Sequence, residues 1–269
     1  MEKKFKLGVI GAGFMSSAII SGIISSKNLK PSEILVSDIN DIALSKMQEK
    51  GVNITKDNVE LVENCNFILL AIKPQTLSVV ANEIGVRSNK KVISIMAGVT
   101  KNRIKEIFTS SFVARAMPNT PCSIGYGAVG LDVTDFTDES DKEFVKNVFT
   151  ALATVEFVSE EMLNAVTGVS GSSPAYFYLF LKCIVDASVK QGLKEEVALN
   201  LAVNTMRGSA EMVMKNQDKT LDELINAVCS KGGTTIEAIK VFEDNKLNEI
   251  VDKAVTACVN RAEELSKSL

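Results

Sequence analysis

Two hydrophobic periods alternate along the first 158 residues. Short runs of consecutive apolar residues, typical of buried strands, are separated by stretches whose apolar residues recur every three or four positions, as in amphipathic helices. The pattern predicts strands at 6–10, 34–37, 52–55, 67–72, 92–95, 112–114, 128–131 and 155–158. Because strands and helices alternate, we predict an α/β fold with a doubly wound, mostly parallel sheet.

The pattern changes at residue 159, after which only helical periodicity is present. Helices are predicted at 174–190, 194–215, 220–228, 235–243 and 247–266. A chain of 269 residues exceeds the usual size of one domain. We therefore predict two domains, an α/β domain at 1–160 and an all-helical domain at 161–269. Residues 174–215 are more apolar than a lone surface helix requires, which indicates burial within a bundle or against a second subunit.

A glycine turn follows the first predicted strand. Gly11 permits a tight turn, and Gly13 has no Cβ to keep a pyrophosphate from the backbone and the following helix N-terminus. Ser16 occupies the position where a third Gly or Ala is usual, so the motif is incomplete. Its place in a strand–turn–helix context nevertheless favours a Rossmann-like, dinucleotide-binding N-terminal domain.

Further candidate residues follow other strands, where ligands bind in such sheets. Asp38 either accepts hydrogen bonds from the adenosine ribose or caps the next helix. Lys73 either contacts the dinucleotide or is a solvated loop charge. Residues 117–121 form a loop made rigid by two prolines, where the nicotinamide should lie.

In the helical domain, residues 230–235 read Ser-Lys-Gly-Gly-Thr-Thr between two predicted helices. Paired glycines followed by hydroxyls at a helix N-terminus make a compact nest for a carboxylate. An ordinary helix–helix connection capped by a threonine explains the same residues equally well.

The amino-acid composition excludes some classes of catalysis and indicates which partners and compartment to expect. The chain has no histidine, which excludes Ser-His-Asp and Cys-His catalysis and any His-ligated metal. A formal charge of −3 gives no reason to expect nucleic acid or an anionic membrane as partner. Five scattered cysteines are typical of reduced thiols in the cytoplasm. A targeting or membrane segment over the apolar residues 7–24 is an alternative, although glycines and serines interrupt it.

The chain resembles the pyrroline-5-carboxylate reductase family along nearly its whole length. The resemblance rests on motifs at 11–15, 71–74, 94–98, 115–121, 170–176 and 230–235. Lys231 replaces a usual proline and Ser173 a usual glycine, and Lys231 would make its loop more flexible. The resemblance implies hydride transfer from NADPH or NADH to the C=N carbon of 1-pyrroline-5-carboxylate, giving proline. It also implies homodimers, often assembled into larger rings.

The resemblance and the strand-end positions together define the candidate site. Thr235 is the candidate catalytic residue, closest to the ring nitrogen. The substrate-binding candidates are Ser230, Gly232, Gly233, Thr234 and Thr235. The cofactor-binding candidates are Ile10, Gly11, Ala12, Gly13, Phe14, Met15, Asp38, Asn58, Ala71, Ile72, Lys73, Pro74, Ala97, Gly98 and Asn119.

Two other functions remain open on the sequence. A β-hydroxyacid dehydrogenase has the same two-domain shape but would need a catalytic lysine on the interdomain helix, where only Lys182 is present, in an apolar context. A nucleotide-binding redox sensor without turnover would not need the Gly-Gly-Thr-Thr loop.

Overall fold

The computed structural model describes residues 4–85, 90–109 and 112–268, with side chains to residue 266. Eight strands form one sheet in the order β3-β2-β1-β4-β5-β6-β7-β8. The strands are β1 (Phe5–Ile10), β2 (Ile34–Ser37), β3 (Asn53–Thr55), β4 (Cys65–Leu70), β5 (Lys91–Ser94), β6 (Phe112–Pro118), β7 (Gly127–Asp132) and β8 (Ala153–Phe157). All neighbours pair in parallel except β6 and β7, so the predicted α/β fold with a mostly parallel sheet is confirmed.

The order in which successive strands are placed in the sheet changes direction at β1. β2 and β3 lie on one side of β1, whereas β4 and the later strands lie on the other. Ile10, the last residue of β1, is paired with Leu70, the last residue of β4. The loops that follow these two strands therefore begin side by side, at the topological switch point where open α/β sheets bind ligands.

The described residues also form twelve α-helices. They are α1 (Phe14–Ser25), α2 (Asp41–Gln48), α3 (Asn58–Asn64), α4 (Leu77–Ile84), α5 (Lys101–Phe108), α6 (Glu139–Thr150), α7 (Leu163–Val166), α8 (Ser173–Lys190), α9 (Glu195–Lys215), α10 (Leu221–Val228), α11 (Thr234–Asp244) and α12 (Leu247–Ser268). Residues 67–70 of β4 are buried, as expected for a strand covered on both faces. Two apolar clusters form the core, one containing Leu69 and the other containing Ile68.

The apolar residues 7–24 do not form one span. They are divided between the strand β1 and the helix α1, whose buried residues belong to the core around the sheet, so the structure contradicts a continuous membrane span over this segment. Among the helices that the structure describes, none combines the length and the apolar character needed to cross a bilayer.

The chain packs as two units. The first contains residues up to 172 together with residues from 257, and the second contains residues 173–256. Helix α12 begins in the second unit and ends in the first. The first unit also contains a π-helical segment, Thr167–Gly171, which the helical periodicity did not predict. The functional boundary at residues 160 and 161 stays a prediction.

Candidate functional site

The glycine turn after β1 is built around Gly11. Its φ is +103°, a left-handed conformation that glycine adopts without strain, and its N–H donates to the Ser37 carbonyl at 2.8 Å. A Cβ at this position would lie 2.6 Å from the Ala71 carbonyl oxygen. Protein geometry alone therefore requires glycine at residue 11.

Gly13 differs from Gly11 in its φ angle and in the space available for a side chain. Its φ of −77° suits any residue, and a Cβ here would meet nothing within 4 Å. Gly13 is exposed and is the N-cap of α1, whose first turn receives no side-chain cap. A helix N-terminus without a side-chain cap and with open space beside it is the environment that a pyrophosphate requires.

The incomplete third position of the motif is accommodated locally. Ser16 is buried, and its hydroxyl donates to the Gly13 carbonyl at 3.0 Å, so no polar group is stranded. Close packing between β1 and a different helix, α3, occurs at Gly8, where a Cβ would lie 2.5 Å from Leu61. Gly8, the only glycine inside β1, is not among the candidate site residues predicted from the sequence.

Asp38 supports the glycine turn. Its carboxylate accepts the Ala12 N–H at 2.7 Å and the Asn40 N–H at 2.9 Å. The N-cap of α2 is Asn40, which accepts from Ile42 and Ala43, so the helix-cap interpretation of Asp38 is wrong. The carboxylate is half-buried and held at the end of β2, where a ribose would bind.

Asn58, another cofactor candidate, is buried at the first residue of α3. It accepts a hydrogen bond from the Ser37 hydroxyl at 2.6 Å and donates to the Glu83 carboxylate at 2.8 Å. The side chain therefore ties α3 to the end of β2 and to α4.

The loop after β4 lies against the glycine turn. The Ala71 N–H donates to the Ile10 carbonyl at 2.9 Å, which continues the ladder one residue beyond the strand. Lys73 is exposed and has no partner among the described residues, and Pro74 begins a short 3-10 turn. The free ammonium group of Lys73 is thus available to a bound anion or to water.

The loop after β5 is held by the C-terminal helix. Gly98 is buried with a φ of +77°, and a Cβ there would lie 3.2 Å from the Ser266 nitrogen and 3.3 Å from Leu265 in α12. Gly98 is therefore required by packing within the protein. Ala97, the preceding cofactor candidate, is half-buried.

Buried charged side chains hold the end of this loop, where α5 begins at Lys101. The Lys101 ammonium group contacts Asp132 at 3.1 Å and Asp135 at 3.3 Å, and Glu160 binds both the Lys101 N–H and Arg115. Burial raises the pKa of Asp132, but hydrogen bonds from Thr134 and Lys101 outweigh burial and hold that pKa below its ordinary value. Asp132 is therefore ionised at neutral pH and anchors the start of α5.

Asn119 lies directly after β6 and is buried. Its amide donates to the Ser170 carbonyl at 3.1 Å, and its oxygen accepts the Ala128 N–H at 3.0 Å. The side chain thus connects the loop after β6 with β7 and with the π-helical segment.

The second unit contains the candidate substrate loop. Gly232 has a φ of +75°, and the Gly233 N–H donates to the Ser230 carbonyl at 2.9 Å, closing a tight turn. Gly233 is the N-cap of α11, which begins at Thr234, so the alternative of a threonine N-cap is wrong. The Thr235 hydroxyl lies in the first helical turn, half-buried, with no partner among the described residues.

Comparison with known proteins identifies the family. Residues 160–265 match the family described as pyrroline-5-carboxylate reductase dimerisation, and residues 6–98 match NADP oxidoreductase, coenzyme F420-dependent. The chain is 35% identical to the pyrroline-5-carboxylate reductase of Escherichia coli, covering 100% of both chains. The chain belongs to the pyrroline-5-carboxylate reductase family. It is also 35% identical to the Synechocystis pyrroline-5-carboxylate reductase, over 97% of this chain and 98% of that one.

Solved pyrroline-5-carboxylate reductases share the fold. The Coxiella burnetii protein superposes with a TM-score of 0.88 at 34% identity, covering 98% of this chain and 99% of that one. The Plasmodium falciparum protein, solved with NADP bound, gives a TM-score of 0.85 at 29% identity, covering 99% and 100%. The family consists of NAD(P)-dependent oxidoreductases, so the chain is an NAD(P)H-dependent enzyme and the sensor and β-hydroxyacid dehydrogenase alternatives are wrong. The open space at Gly13 fits that cofactor.

Proposed function

We propose that this chain reduces the C=N bond of 1-pyrroline-5-carboxylate to L-proline with NAD(P)H, as the reductive step of proline biosynthesis. The observation that carries the proposal is the identity of about one third, over full length, to pyrroline-5-carboxylate reductases. One hydride passes from the nicotinamide to the imine carbon and one proton reaches the nitrogen, giving the ring amine and NAD(P)⁺.

The cofactor is proposed to bind across the switch point of the sheet. Its pyrophosphate lies over Gly13 and receives N–H groups from the start of α1, while Asp38 accepts the ribose hydroxyls. The other candidate contacts come from the neighbouring loops: Ile10, Gly11, Ala12, Phe14, Met15, Asn58, Ala71, Ile72, Lys73, Pro74, Ala97, Gly98 and Asn119. The α/β domain at 1–160 is thus the dinucleotide-binding domain.

The substrate is proposed to bind at the N-terminus of α11, in the helical domain at 161–269. The turn formed by Ser230, Gly232 and Gly233 leaves the first N–H groups of α11 without a side-chain cap, as a carboxylate ligand needs. Thr234 and Thr235 contribute hydroxyls there, and Thr235 faces the ring nitrogen.

This chemistry does not require a histidine. A cyclic imine is basic enough to be partly protonated near neutral pH, so hydride attack needs little acid assistance. Catalysis then comes mainly from holding the imine carbon over the nicotinamide. The Thr235 hydroxyl orients the nitrogen or supplies its proton.

The test is steady-state oxidation of NADH and of NADPH by the purified chain, with L-proline measured as product. We expect oxidation that depends on pyrroline-5-carboxylate and yields one proline per reduced nicotinamide consumed. A five-membered cyclic imine without the carboxylate is the matched control, and it should react far more slowly because the α11 N-terminus has no anion to hold. Absence of proline formation with either cofactor would refute the proposed function.

Asp38 is expected to set the preference between the cofactors. Asp38→Asn keeps an acceptor oxygen for the turn but removes the charge that repels a 2′-phosphate, so the kcat/KM ratio of NADPH to NADH should rise about tenfold or more. Asp41→Asn is the matched control, since it removes an exposed carboxylate of α2 that is paired with Lys56. An unchanged ratio in Asp38→Asn would show that Asp38 only supports the turn.

We also propose a cytoplasmic homodimer formed by the helical domain, with larger rings built from dimers. No disulfide joins the five cysteines, all of which lie within the described residues, as is usual in a reducing compartment. In the second unit, α8 and α9 expose large apolar side chains such as Phe177, Leu179 and Leu201 beside a groove of about 610 Å³. A second copy would remove this surface from water.

Sedimentation velocity at micromolar concentration tests this assembly. We expect the wild type to sediment as a dimer or a multiple of it, and Leu201→Glu to shift the distribution toward monomer, because a carboxylate would be buried in the interface. Val79→Glu, which changes an equally exposed apolar residue on α4, is the control. A fully active wild-type monomer would contradict the proposal.

A further inference from the structure

The side chain of Asn119 is hydrogen-bonded at both its nitrogen and its oxygen within the protein. Its amide nitrogen donates to the Ser170 carbonyl at 3.1 Å. Its oxygen accepts the Ala128 N–H at 3.0 Å and the Cys122 thiol at 3.7 Å. Both acceptor positions of the oxygen and one of the two amide N–H groups are therefore used within the protein, as suits a buried residue that joins separate parts of the chain.

The segment that Asn119 holds is unusual in its backbone. Thr167–Gly171 is π-helical, and the Ser172 N–H donates to the Thr167 carbonyl at 2.8 Å, five residues back. π-Turns are rare and occur frequently at functional sites. The hydrogen bond from Asn119 to Ser170 is a contact to this segment from outside it.

A second contact joins the same two parts of the chain. Gly171 packs so closely on Met117 in β6 that a Cβ would lie 2.7 Å from the Met117 Cε. Gly171 and Ser170 are thus fixed against two residues, Met117 and Asn119, that flank the end of one strand. We call these contacts of Ser170 and Gly171 with Asn119 and Met117 the junction. Asn119 contributes its hydrogen bond and Met117 its apolar contact.

We propose that Asn119 is a positioning residue, which holds the π-helical segment against the end of β6 without touching the cofactor. The inference rests on the proposed function, because the loop after β6 is where the nicotinamide is placed. On this proposal Asn119 does not bind the cofactor directly. It acts by holding Ser170 and Gly171 in place. The hydride-transfer step then depends on Asn119, whereas binding of the rest of the dinucleotide does not.

Asn119→Asp is the sharpest test. The new side chain has the same shape and still accepts from Ala128, but it places a carboxylate oxygen against the Ser170 carbonyl. We expect kcat to fall about tenfold, with the Kd of NADH changed less than twofold and hydrogen exchange faster at residues 167–172. Asn28→Asp is the matched control, since Asn28 donates to the Asn147 carbonyl at 2.9 Å at an exposed position.

The outcomes separate this proposal from the proposed function. Exchange is measured on the protein alone, so it reports on the junction even if the wild type reduces no pyrroline-5-carboxylate. Unchanged exchange at 167–172, or an unchanged kcat in an active enzyme, would overturn the positioning role. A Kd for NADH that rises in step with the loss of kcat would also overturn it, by indicating direct contact.

A second pair of variants covers the case in which Asn119→Asp does not fold. Gly171→Leu places a side chain against Met117 that is too large to be accommodated by a small shift of the Met117 methyl group, and we expect kcat to fall without loss of NADH affinity. Met117→Ala in the same chain removes the clash and should restore most of kcat. Failure of either expectation in this pair would count against the junction.

Discussion

Gly13→Val will weaken NADH binding about 10- to 100-fold while the protein keeps its fold. Valine suits the extended backbone at residue 13, and its Cβ would meet no protein atom within 4 Å. The added methyl groups would fill the space proposed for the pyrophosphate, at a cost of about 1–3 kcal/mol as for overpacking. NADH titration by fluorescence measures the affinity, and thermal unfolding should show a loss below about 1 kcal/mol from the N-cap change.

Gly11→Ala is the informative comparison, only two residues away. In this variant the alanine would have to adopt the left-handed backbone conformation of residue 11, with its Cβ 2.6 Å from the Ala71 carbonyl oxygen. The variant should therefore lose stability as well as affinity for NADH. Unaltered NADH affinity in Gly13→Val would mean that the open space beside α1 is ordinary solvent and that the dinucleotide lies elsewhere.

The other large effect is expected at Thr235. Thr235→Val preserves the shape of the side chain and removes the hydroxyl, so kcat/KM for pyrroline-5-carboxylate should fall about 10- to 100-fold, as for one hydrogen bond to a charged group. Because Gly233 is the N-cap of α11, no capping interaction is lost. The melting temperature and the affinity for NADH should therefore stay at wild-type values.

Thr235→Ser completes the test, since it restores the hydroxyl on a smaller side chain and should recover most of the activity. Wild-type kcat/KM in Thr235→Val would leave the residue a half-buried helix position without a chemical role. A fall in melting temperature of several degrees, with activity lost in proportion, would likewise point to structure.

The sheet was predictable because its signals are local. Continuous apolar runs mark the central strands, and a glycine pair follows the first of them, so β1, β4 and the turn at Gly11 could be predicted directly from the sequence. The cap of α2 was harder to identify, because Asp38 and Asn40 are both good caps and lie two residues apart. Only the backbone hydrogen bonds distinguish them.

The remaining features depend on contacts between distant residues. The antiparallel direction of β7 accompanies the short connection of residues 119–126 between β6 and β7, which contains a 3-10 turn and no α-helix. The role of Asn119 arises from a partner 51 positions away, and the tight site at Gly98 from α12. Hydrophobic periodicity contains no information about such pairings.

The return of α12 to the first unit has a consequence for biosynthesis. On the ribosome, residues up to 172 emerge first, but the loop at Gly98 gains its packing partner only after Leu265 and Ser266 have been synthesised. The entire second unit is translated in between. After residue 172 has been synthesised, more than eighty further residues must follow before the end of α12 is available to pack on the first unit. Until then this part of the surface of the first unit is exposed to chaperones and proteases.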